Sequence, residues 1–243
     1  MSAVRPSIVV VKTGEPVAGV LARRGSFKDL IVGAAGEAWA GSWDEVDART
    51  GPFPEPRSAA AFVITGSAAN VPDREPWMLD LEAWLRDVVD SGTPTFGICF
   101  GHQVLAQALG GEVLRNPRGR EIGTVSIEVT GDDPALWPGG STAAAFSANA
   151  THVDSVVRLP PGAVALARSG LDDHQAVRFA ARCHSVQFHP EVDADVMRSY
   201  VDARREILAR EGFDVEALVG RIDDGVGATE VLRRWIRVVV GSP

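Results

Sequence analysis

The chain has 243 residues, of which 45% are apolar and 23% charged, values typical of a globular protein with a sizeable core. Its 32 acidic and 24 basic residues give a net charge of −8, which argues against nucleic acid or an anionic membrane as the main partner. No stretch approaches the ~18 uninterrupted apolar residues of a membrane span.

The chain carries two cysteines, Cys99 and Cys183, separated by 84 positions. Two residues so far apart in sequence form neither a disulfide framework nor a metal-ligand spacing. A reducing compartment is the simplest setting for such a sequence. We therefore expect a cytoplasmic protein without a metal site.

The first part of the chain alternates predicted strands and helices. The β-branched run Ile8–Val11 predicts a buried strand, and residues 17–35 predict a helix that Gly25 interrupts. Three prolines within residues 50–58 predict a loop. This loop leads into a second buried strand, which is predicted over residues 59–65.

Residues 76–90 predict an amphipathic helix, because apolar side chains recur there at helical spacing and a proline stands at the first position. Gly92 ends this helix, and the segment TPTFGIC at residues 93–99 predicts the next strand. Residues 102–109 predict a further helix, which the glycine pair beginning at Gly110 ends.

The second part of the chain has a different pattern. From residue 111 to residue 188, short alternating runs separated by Gly, Pro and Asp predict several strands in succession. Helices are predicted over residues 193–210 and 229–239. Strands alternating with helices, followed by a β-rich segment, are typical of an α/β fold. We expect three layers, with a mostly parallel central sheet, flanking helices and a smaller β-rich insertion. Because no segment has the composition of a long linker, we expect a single domain over residues 1–243.

Cys99 lies at the predicted strand-to-helix turn, in the sequence GICFG. A nucleophile on such a turn takes a strained backbone conformation, so the residues two positions away on either side must be small. Gly97 and Gly101 occupy those positions. A thiol at the start of the following helix is favoured as a thiolate. The alternative is that Cys99 is an ordinary core residue behind a strand.

The segment SVQFHPE supplies a candidate base at the end of another predicted strand. The side chains of Gln187, His189 and Glu191 point to the same side of an extended segment, because successive side chains alternate. Pro190 stiffens the backbone between the imidazole and the carboxylate. This arrangement provides a base and an acidic group that orients it, at a strand end where α/β proteins build their sites. The alternative for His-Pro-Glu is a loop with a solvated acid.

Taken together, these segments resemble the class I, or triad, glutamine amidotransferases, and in particular the GMP-synthase-like group of stand-alone glutaminase domains. GICFGHQVLAQALGG (residues 97–111) is similar to the nucleophile motif of that family, and QFHPE (187–191) is similar to its His/Glu motif. FVITGS (62–67) stands where the family has an oxyanion loop, and THVDSVVRLPPGAVALARS (151–169) resembles its His-x-Asp-x-Val segment. The resemblance covers about residues 60–191, with C-terminal helices at about 193–240, and implies a flavodoxin-like fold.

The resemblance also implies roles for individual residues. Cys99 would be the nucleophile, His189 the general base and acid, and Glu191 the group that orients the histidine. The oxyanion would be bound by the backbone amide of Phe100 and by one from the Gly66–Ser67 loop. Many members of the family have a proline after this pair, whereas this chain has alanine.

The substrate-binding residues implied by the resemblance lie on one helix and one loop. Gln103, one helical turn beyond the cysteine, corresponds to a glutamine that contacts the substrate. His152, Val153 and Asp154 correspond to the loop that binds the α-amino and α-carboxylate groups, largely through backbone atoms. The family's chemistry requires no metal and no organic cofactor.

The activity implied by the resemblance is hydrolysis of the γ-carboxamide of L-glutamine through a γ-glutamyl thioester. The sequence contains no G-x-x-x-x-G-K-[ST] motif, so the ammonia is expected to pass to a separate synthetase or acceptor subunit. A second hypothesis is a γ-glutamyl peptidase that acts on a small peptide or conjugate with the same triad. A third is a non-catalytic domain that binds a partner or senses oxidants through Cys99.

Overall fold

The computed structural model describes residues 7–139, 141–142 and 144–241. A nine-stranded sheet runs through the molecule in the order β2-β1-β3-β4-β11-β10-β9-β6-β7, and β5 and β8 form a separate two-stranded sheet. The strands are β1 (Ile8–Lys12), β2 (Trp43–Asp47), β3 (Ala61–Ile64), β4 (Thr95–Ile98), β5 (Glu112–Arg115), β6 (Glu121–Val129), β7 (Ala145–His152), β8 (Asp154–Arg158), β9 (Val164–Arg168), β10 (Ala176–Ala180) and β11 (Cys183–Val186). The helices are α1 (Ala18–Arg24), α2 (Phe27–Ala35), α3 (Pro76–Ser91), α4 (Phe100–Ala108), α5 (Ala194–Ala203), α6 (Arg205–Arg210), α7 (Val215–Gly220) and α8 (Val226–Trp235).

The main sheet is mixed. The strands β2, β1, β3, β4 and β11 are parallel to one another, whereas β11, β10, β9, β6 and β7 pair antiparallel in that order. The parallel arrangement expected from the sequence therefore describes the half that carries the cysteine turn. Within the β-rich segment, β5 and β8 pair separately, and the other strands continue the main sheet in antiparallel pairs, because the turn between β10 and β11 is too short for a parallel crossover.

Helices cover both faces of the sheet, which gives three layers. Alternation along β1 shows the two faces: Ile8 and Val10 belong to the core beneath α2 and α8, while Val9 and Val11 belong to the core beneath α3 and α4. Parallel strands that are buried on both faces have such continuous apolar sequences. The fold is therefore α/β, as the sequence predicts.

Several elements were not predicted from the sequence. Strand β2 reads WDEVD and strand β7 reads AFSANATH, so neither shows the apolar alternation that indicates a strand. The short helix α7 was also missed. The helix predicted over residues 193–210 is broken at Arg204, where φ is −114° and ψ is 9°. This break sets the position of the Arg204 side chain.

In the described part of the chain, no helix has the length and apolar character needed to cross a bilayer.

Candidate active site

Cys99 stands between the end of β4 and the start of α4, with φ at 52° and ψ at −102°. A positive φ is strained for a residue with a side chain and persists only where the surrounding structure fixes it. The amide of Cys99 donates to the carbonyl of Val186 at 2.9 Å, and the amide of Gly101 donates to the carbonyl of Thr65 at 3.1 Å. The turn is therefore held between the ends of the two neighbouring strands, β11 and β3.

The two glycines that flank the cysteine leave no room for a side chain. A Cβ on Gly101 would lie 2.4 Å from the carbonyl oxygen of Ile64, and a Cβ on Gly97 would lie 2.6 Å from the carbonyl group of Gly101. Such distances are far below van der Waals contact. Helix α4 can therefore pack this closely against β3 and β4 only with glycine at both positions.

His189 follows β11, three residues beyond its end, and its amide donates to the carbonyl of Asn149 at 2.8 Å. Its Nδ1 atom lies 2.8 Å from Oε1 of Glu191, and both side chains are buried. The ring also stacks on Phe27, with 6.5 Å between ring centroids. The imidazole is thus fixed by its backbone, by the carboxylate and by an aromatic face, while its Nε2 atom has no partner within the described chain.

The charges around Cys99 favour a thiolate. Burial by itself raises the pKa of Cys99, but attraction to His189 and, less strongly, to His152 outweighs this effect and lowers the pKa below 9.0. Burial lowers the pKa of His189, but Glu191 and the cysteine together raise it to about 10. By contrast, burial alone raises the pKa of Cys183 to about 12. The two thiols therefore differ sharply in their tendency to ionise.

Two cavities meet at Cys99. One has a volume of about 220 Å³ and extends towards Gln103 and the 152–154 loop; we call it the loop-side cavity. The other has a volume of about 190 Å³ and extends towards His189; we call it the histidine-side cavity. Five residues line both: Ser67, Ala68, Cys99, Thr151 and Arg204. A substrate can therefore reach the sulfur from either side.

The loop after β3 brings Gly66 and Ser67 next to the cysteine. A Cβ on Gly66 would lie 3.7 Å from the Cβ of Cys99. The loop is tied down by Thr13, whose hydroxyl donates to the carbonyl of Gly66 at 3.0 Å and whose carbonyl accepts from Ser67 Oγ at 2.9 Å. The amide of Phe100 is the first of α4 and has no acceptor within that helix. Gly66 and Phe100 therefore lie next to Cys99, and their role as oxyanion donors remains a prediction.

Gln103 lines the loop-side cavity and is itself buried. Its Nε2 atom donates to the carbonyl of Asp154 at 2.8 Å and to Oε1 of Gln187 at 2.9 Å. Both protons of the amide are therefore used to hold the 152–154 loop and the segment that leads to the histidine. Val153 and Asp154 line the same cavity.

His152 forms a buried ion pair that the sequence did not reveal. Its Nδ1 lies 3.0 Å from the carbonyl of Asp154 and its Nε2 lies 3.0 Å from Oε2 of Glu121. Glu121 also accepts from Ser169 Oγ at 2.6 Å and from Gln175 Nε2 at 2.5 Å, so it is an acceptor at every contact. Because both ring nitrogens face acceptors, the surroundings favour the doubly protonated ring. Burial opposes this charge, but Glu121 raises the pKa of His152.

All the residues predicted from the sequence therefore lie around Cys99 or contact a residue that does, and their roles remain predictions. Sequence reasoning missed four charged residues near the site. Arg120 and Arg204 line the loop-side cavity, Glu15 lines the histidine-side cavity, and Glu121 holds the histidine of the loop. None of the four stands within a quoted motif, and only folding brings them to Cys99.

Across residues 7–139, 141–142 and 144–241, no group of three or more His, Cys, Asp or Glu side chains is arranged to hold a metal ion.

Comparisons with known proteins identify the family to which the chain is similar. A family model described as "Glutamine amidotransferase class-I" matches residues 62–203. Gamma-glutamyl peptidase 4 of Arabidopsis thaliana is 29% identical over 73% of this chain and 72% of that protein. GMP synthase [glutamine-hydrolyzing] of Thermomicrobium roseum is 30% identical over 93% of this chain but only 44% of that enzyme. A crystal structure of glutamine amido transferase from Methylobacillus flagellatus is 26% identical, with a TM-score of 0.77 and coverage of 96% of this chain and 94% of that one.

Proposed function

The chain belongs to the class I glutamine amidotransferase family, and from that membership we propose that it hydrolyses the γ-carboxamide of L-glutamine to glutamate and ammonia. The observation that carries this proposal is the arrangement at Cys99: a strained, glycine-flanked turn next to a histidine that a buried carboxylate orients. Glu191 stabilises the imidazolium of His189, and that imidazolium in turn stabilises a thiolate at Cys99.

In the first half-reaction the Cys99 thiolate adds to the amide carbon of glutamine. The carbonyl oxygen becomes an oxyanion, which the amide of Phe100 and one from Gly66 or Ser67 stabilise; each such donor is commonly worth about 3 kcal/mol. The intermediate then collapses as the carbon–nitrogen bond breaks. The His189 imidazolium gives its proton to the departing nitrogen, and ammonia leaves.

In the second half-reaction the now neutral His189 accepts a proton from water while the oxygen attacks the γ-glutamyl thioester. The same amides stabilise the second oxyanion. Its collapse expels the thiolate and releases glutamate, and the thiolate–imidazolium pair is restored. Glu191 holds the ring in one orientation through both steps.

We further propose that the chain forms one domain in the cytoplasm and passes its ammonia to a separate acceptor subunit. Its match to the GMP synthase of Thermomicrobium roseum spans 44% of that enzyme, which supports a role as the glutamine-hydrolysing part of a larger assembly.

A second candidate is a γ-glutamyl peptidase that uses the same residues on a peptide or conjugate. Two observations favour it: the likeness to gamma-glutamyl peptidase 4, and the histidine-side cavity, which exceeds the size of ammonia. The two candidates differ only in the group that leaves.

The test is glutamine-dependent ammonia release by the wild-type chain and by Cys99→Ala, with Cys183→Ala as the matched control. We expect activity in the wild type and in Cys183→Ala, and none in Cys99→Ala. A diazoketone analogue of glutamine should also alkylate Cys99 and leave Cys183 unmodified. Glutamine hydrolysis that survives in Cys99→Ala would overturn the proposal. So would a folded wild type that neither hydrolyses glutamine nor reacts with the analogue, and that result would favour a non-catalytic domain.

A further inference from the structure

The histidine-side cavity is larger than the proposed glutaminase reaction requires. It lies on the side of Cys99 where His189 would protonate the departing nitrogen, so it is where a leaving group would sit. Ammonia is about the size of water, whose share of liquid volume is about 30 Å³. The cavity measures about 190 Å³, which is enough for several more heavy atoms.

One wall of this cavity carries a cation that has no carboxylate partner among the residues that the structure describes. Arg204 stands at the break between α5 and α6 and is half-buried. Its guanidinium lies 4.8 Å from the centroid of the Tyr200 ring, and Nη1 is 3.5 Å from the carbonyl of the same residue. The titratable neighbours that influence its pKa are Tyr200, Arg120 and Cys99, and none of these is a carboxylate. Burial lowers the pKa of Arg204, but an arginine remains charged.

Arg120 provides the contrast. It lines the loop-side cavity, yet Glu211 already pairs with it through two hydrogen bonds, of 2.7 and 3.0 Å. Both arginines line the loop-side cavity with Cys99, and among the described residues Arg204 is thus the one whose guanidinium N–H groups are not already bound by a carboxylate.

The remaining walls fit a small amphipathic group. Val17, Phe27 and Tyr200 supply apolar surface. Glu15 is bound by Lys12 through Oε1 at 2.8 Å, while its Oε2 atom is buried without a partner. That oxygen can accept an N–H from a ligand, and its charge keeps a carboxylate on the arginine side of the cavity.

Resting on the proposed thiolate chemistry, we infer that the histidine-side cavity binds the amine portion of a γ-glutamyl amide and that Arg204 binds a carboxylate on it. The substrate class is a γ-glutamyl dipeptide with a free carboxylate. Attack by Cys99 breaks the bond between the γ-carbon and the nitrogen, His189 gives its proton to that nitrogen, and the free amino acid leaves from the cavity. Water then cleaves the thioester as before.

The experiment compares three substrates that share the γ-glutamyl group: L-glutamine, γ-glutamyl methylamide and γ-glutamylglycine. Only the last carries a carboxylate on its leaving group. For each, kcat/KM is measured on the wild type, Arg204→Gln and Arg204→Lys. The matched control is Arg205→Gln, because Arg205 is exposed and paired with Asp202 and Glu216.

We expect the wild type to prefer γ-glutamylglycine to γ-glutamyl methylamide. Loss of a charge-assisted contact corresponds to a fall of about 10- to 100-fold. Arg204→Gln should therefore lose at least tenfold more kcat/KM on γ-glutamylglycine than on the other two substrates. Arg204→Lys should recover part of this selectivity, and Arg205→Gln should match the wild type on all three substrates. A thermal melt of each variant separates loss of selectivity from loss of folding.

Three results would overturn this inference while leaving the proposed function intact. The first is an equal loss of kcat/KM on all three substrates in Arg204→Gln, which would place the arginine on the γ-glutamyl portion. The second is no loss of kcat/KM on any substrate in that variant. The third is a wild type that hydrolyses glutamine but not γ-glutamylglycine. A folded wild type that hydrolyses none of the three would instead refute the proposed function itself.

Discussion

Replacing Glu191 with glutamine tests the electrostatic basis of the site. In the folded chain the pKa of His189 is about 10, compared with an ordinary value of 6.5, which corresponds to about 5 kcal/mol in favour of the imidazolium. The carboxylate at 2.8 Å and the Cys99 thiolate together provide this preference against the cost of burial. Glutamine keeps the size of the side chain but removes its charge, so the pKa of His189 should fall.

The change at His189 should in turn reach Cys99. Glu191 itself repels the thiolate, but this effect is smaller than the attraction of His189. Losing the imidazolium therefore raises the pKa of Cys99 on balance. The Cys99 thiolate should then form at higher pH than in the wild type. Once the thiol pKa lies above the pH of the assay, each further unit of increase lowers the thiolate fraction about tenfold.

The assay is the rate of alkylation of Cys99 by iodoacetamide between pH 5 and 10, followed by peptide mass spectrometry in a Cys183→Ala background. In Glu191→Gln we expect the profile to move to higher pH, with glutamine hydrolysis reduced by about 10² to 10⁴-fold. The control is Glu230→Gln, since Glu230 is exposed and paired with Arg237. Superimposable alkylation profiles for Glu191→Gln and the wild type would refute this reasoning.

Two further predictions concern stability. Gly101→Ala places a Cβ 2.4 Å from a backbone oxygen of β3, so it should destabilise the fold by about 1–3 kcal/mol or more and lower Tm by several degrees in a thermal melt. The control is Gly33→Ala, which should leave Tm equal or higher because nothing lies within 4 Å of the added Cβ. Equal effects of the two substitutions would contradict the packing argument. Burial lowers the pKa of His102 from 6.5 to about 3, so below pH 6.5 the unfolded chain takes up a proton that the folded chain does not. The contribution of His102 to the free energy of unfolding is therefore fully present above pH 6.5 and falls towards pH 3 by up to about 1.4 kcal/mol per pH unit. In urea unfolding between pH 6.5 and pH 4, His102→Gln should show a shallower decline than the wild type, and an unchanged slope would rule out this origin.

The parts of the site that could be predicted from the sequence are those whose physical cause is local. The strain at Cys99 requires small neighbours, and both are within two residues. His189 and Glu191 are likewise two residues apart and meet within one short segment, but the strand predicted to run through His189 ends at Val186, so a turn rather than strand alternation brings the two side chains together. The strand–helix order of the first hundred residues also predicted three strands of the parallel half of the sheet, β1, β3 and β4.

The parts that could not be predicted depend on contacts between distant segments. Glu121 meets His152 only because β6 and β7 pair antiparallel in one register. Arg204 reaches the cavity because a predicted continuous helix breaks at that residue. Strand β7 carries the buried Asn149, whose side chain contacts Thr124 and the carbonyl of Val192, so its sequence lacks the apolar alternation on which prediction relies.

Different segments of the chain supply the inner and the outer wall of the histidine-side cavity, which has a consequence for re-engineering the protein. The proposed catalytic residues Cys99 and His189 follow β4 and β11, and the packing of Gly97 and Gly101 beside Cys99 tolerates no change. The outer wall of the histidine-side cavity comes instead from the residues just before α1 and from α5 and its junction with α6, which lie outside those two strand ends in the sequence. A library that randomises those two segments would explore new leaving groups while the reactive sulfur keeps its surroundings.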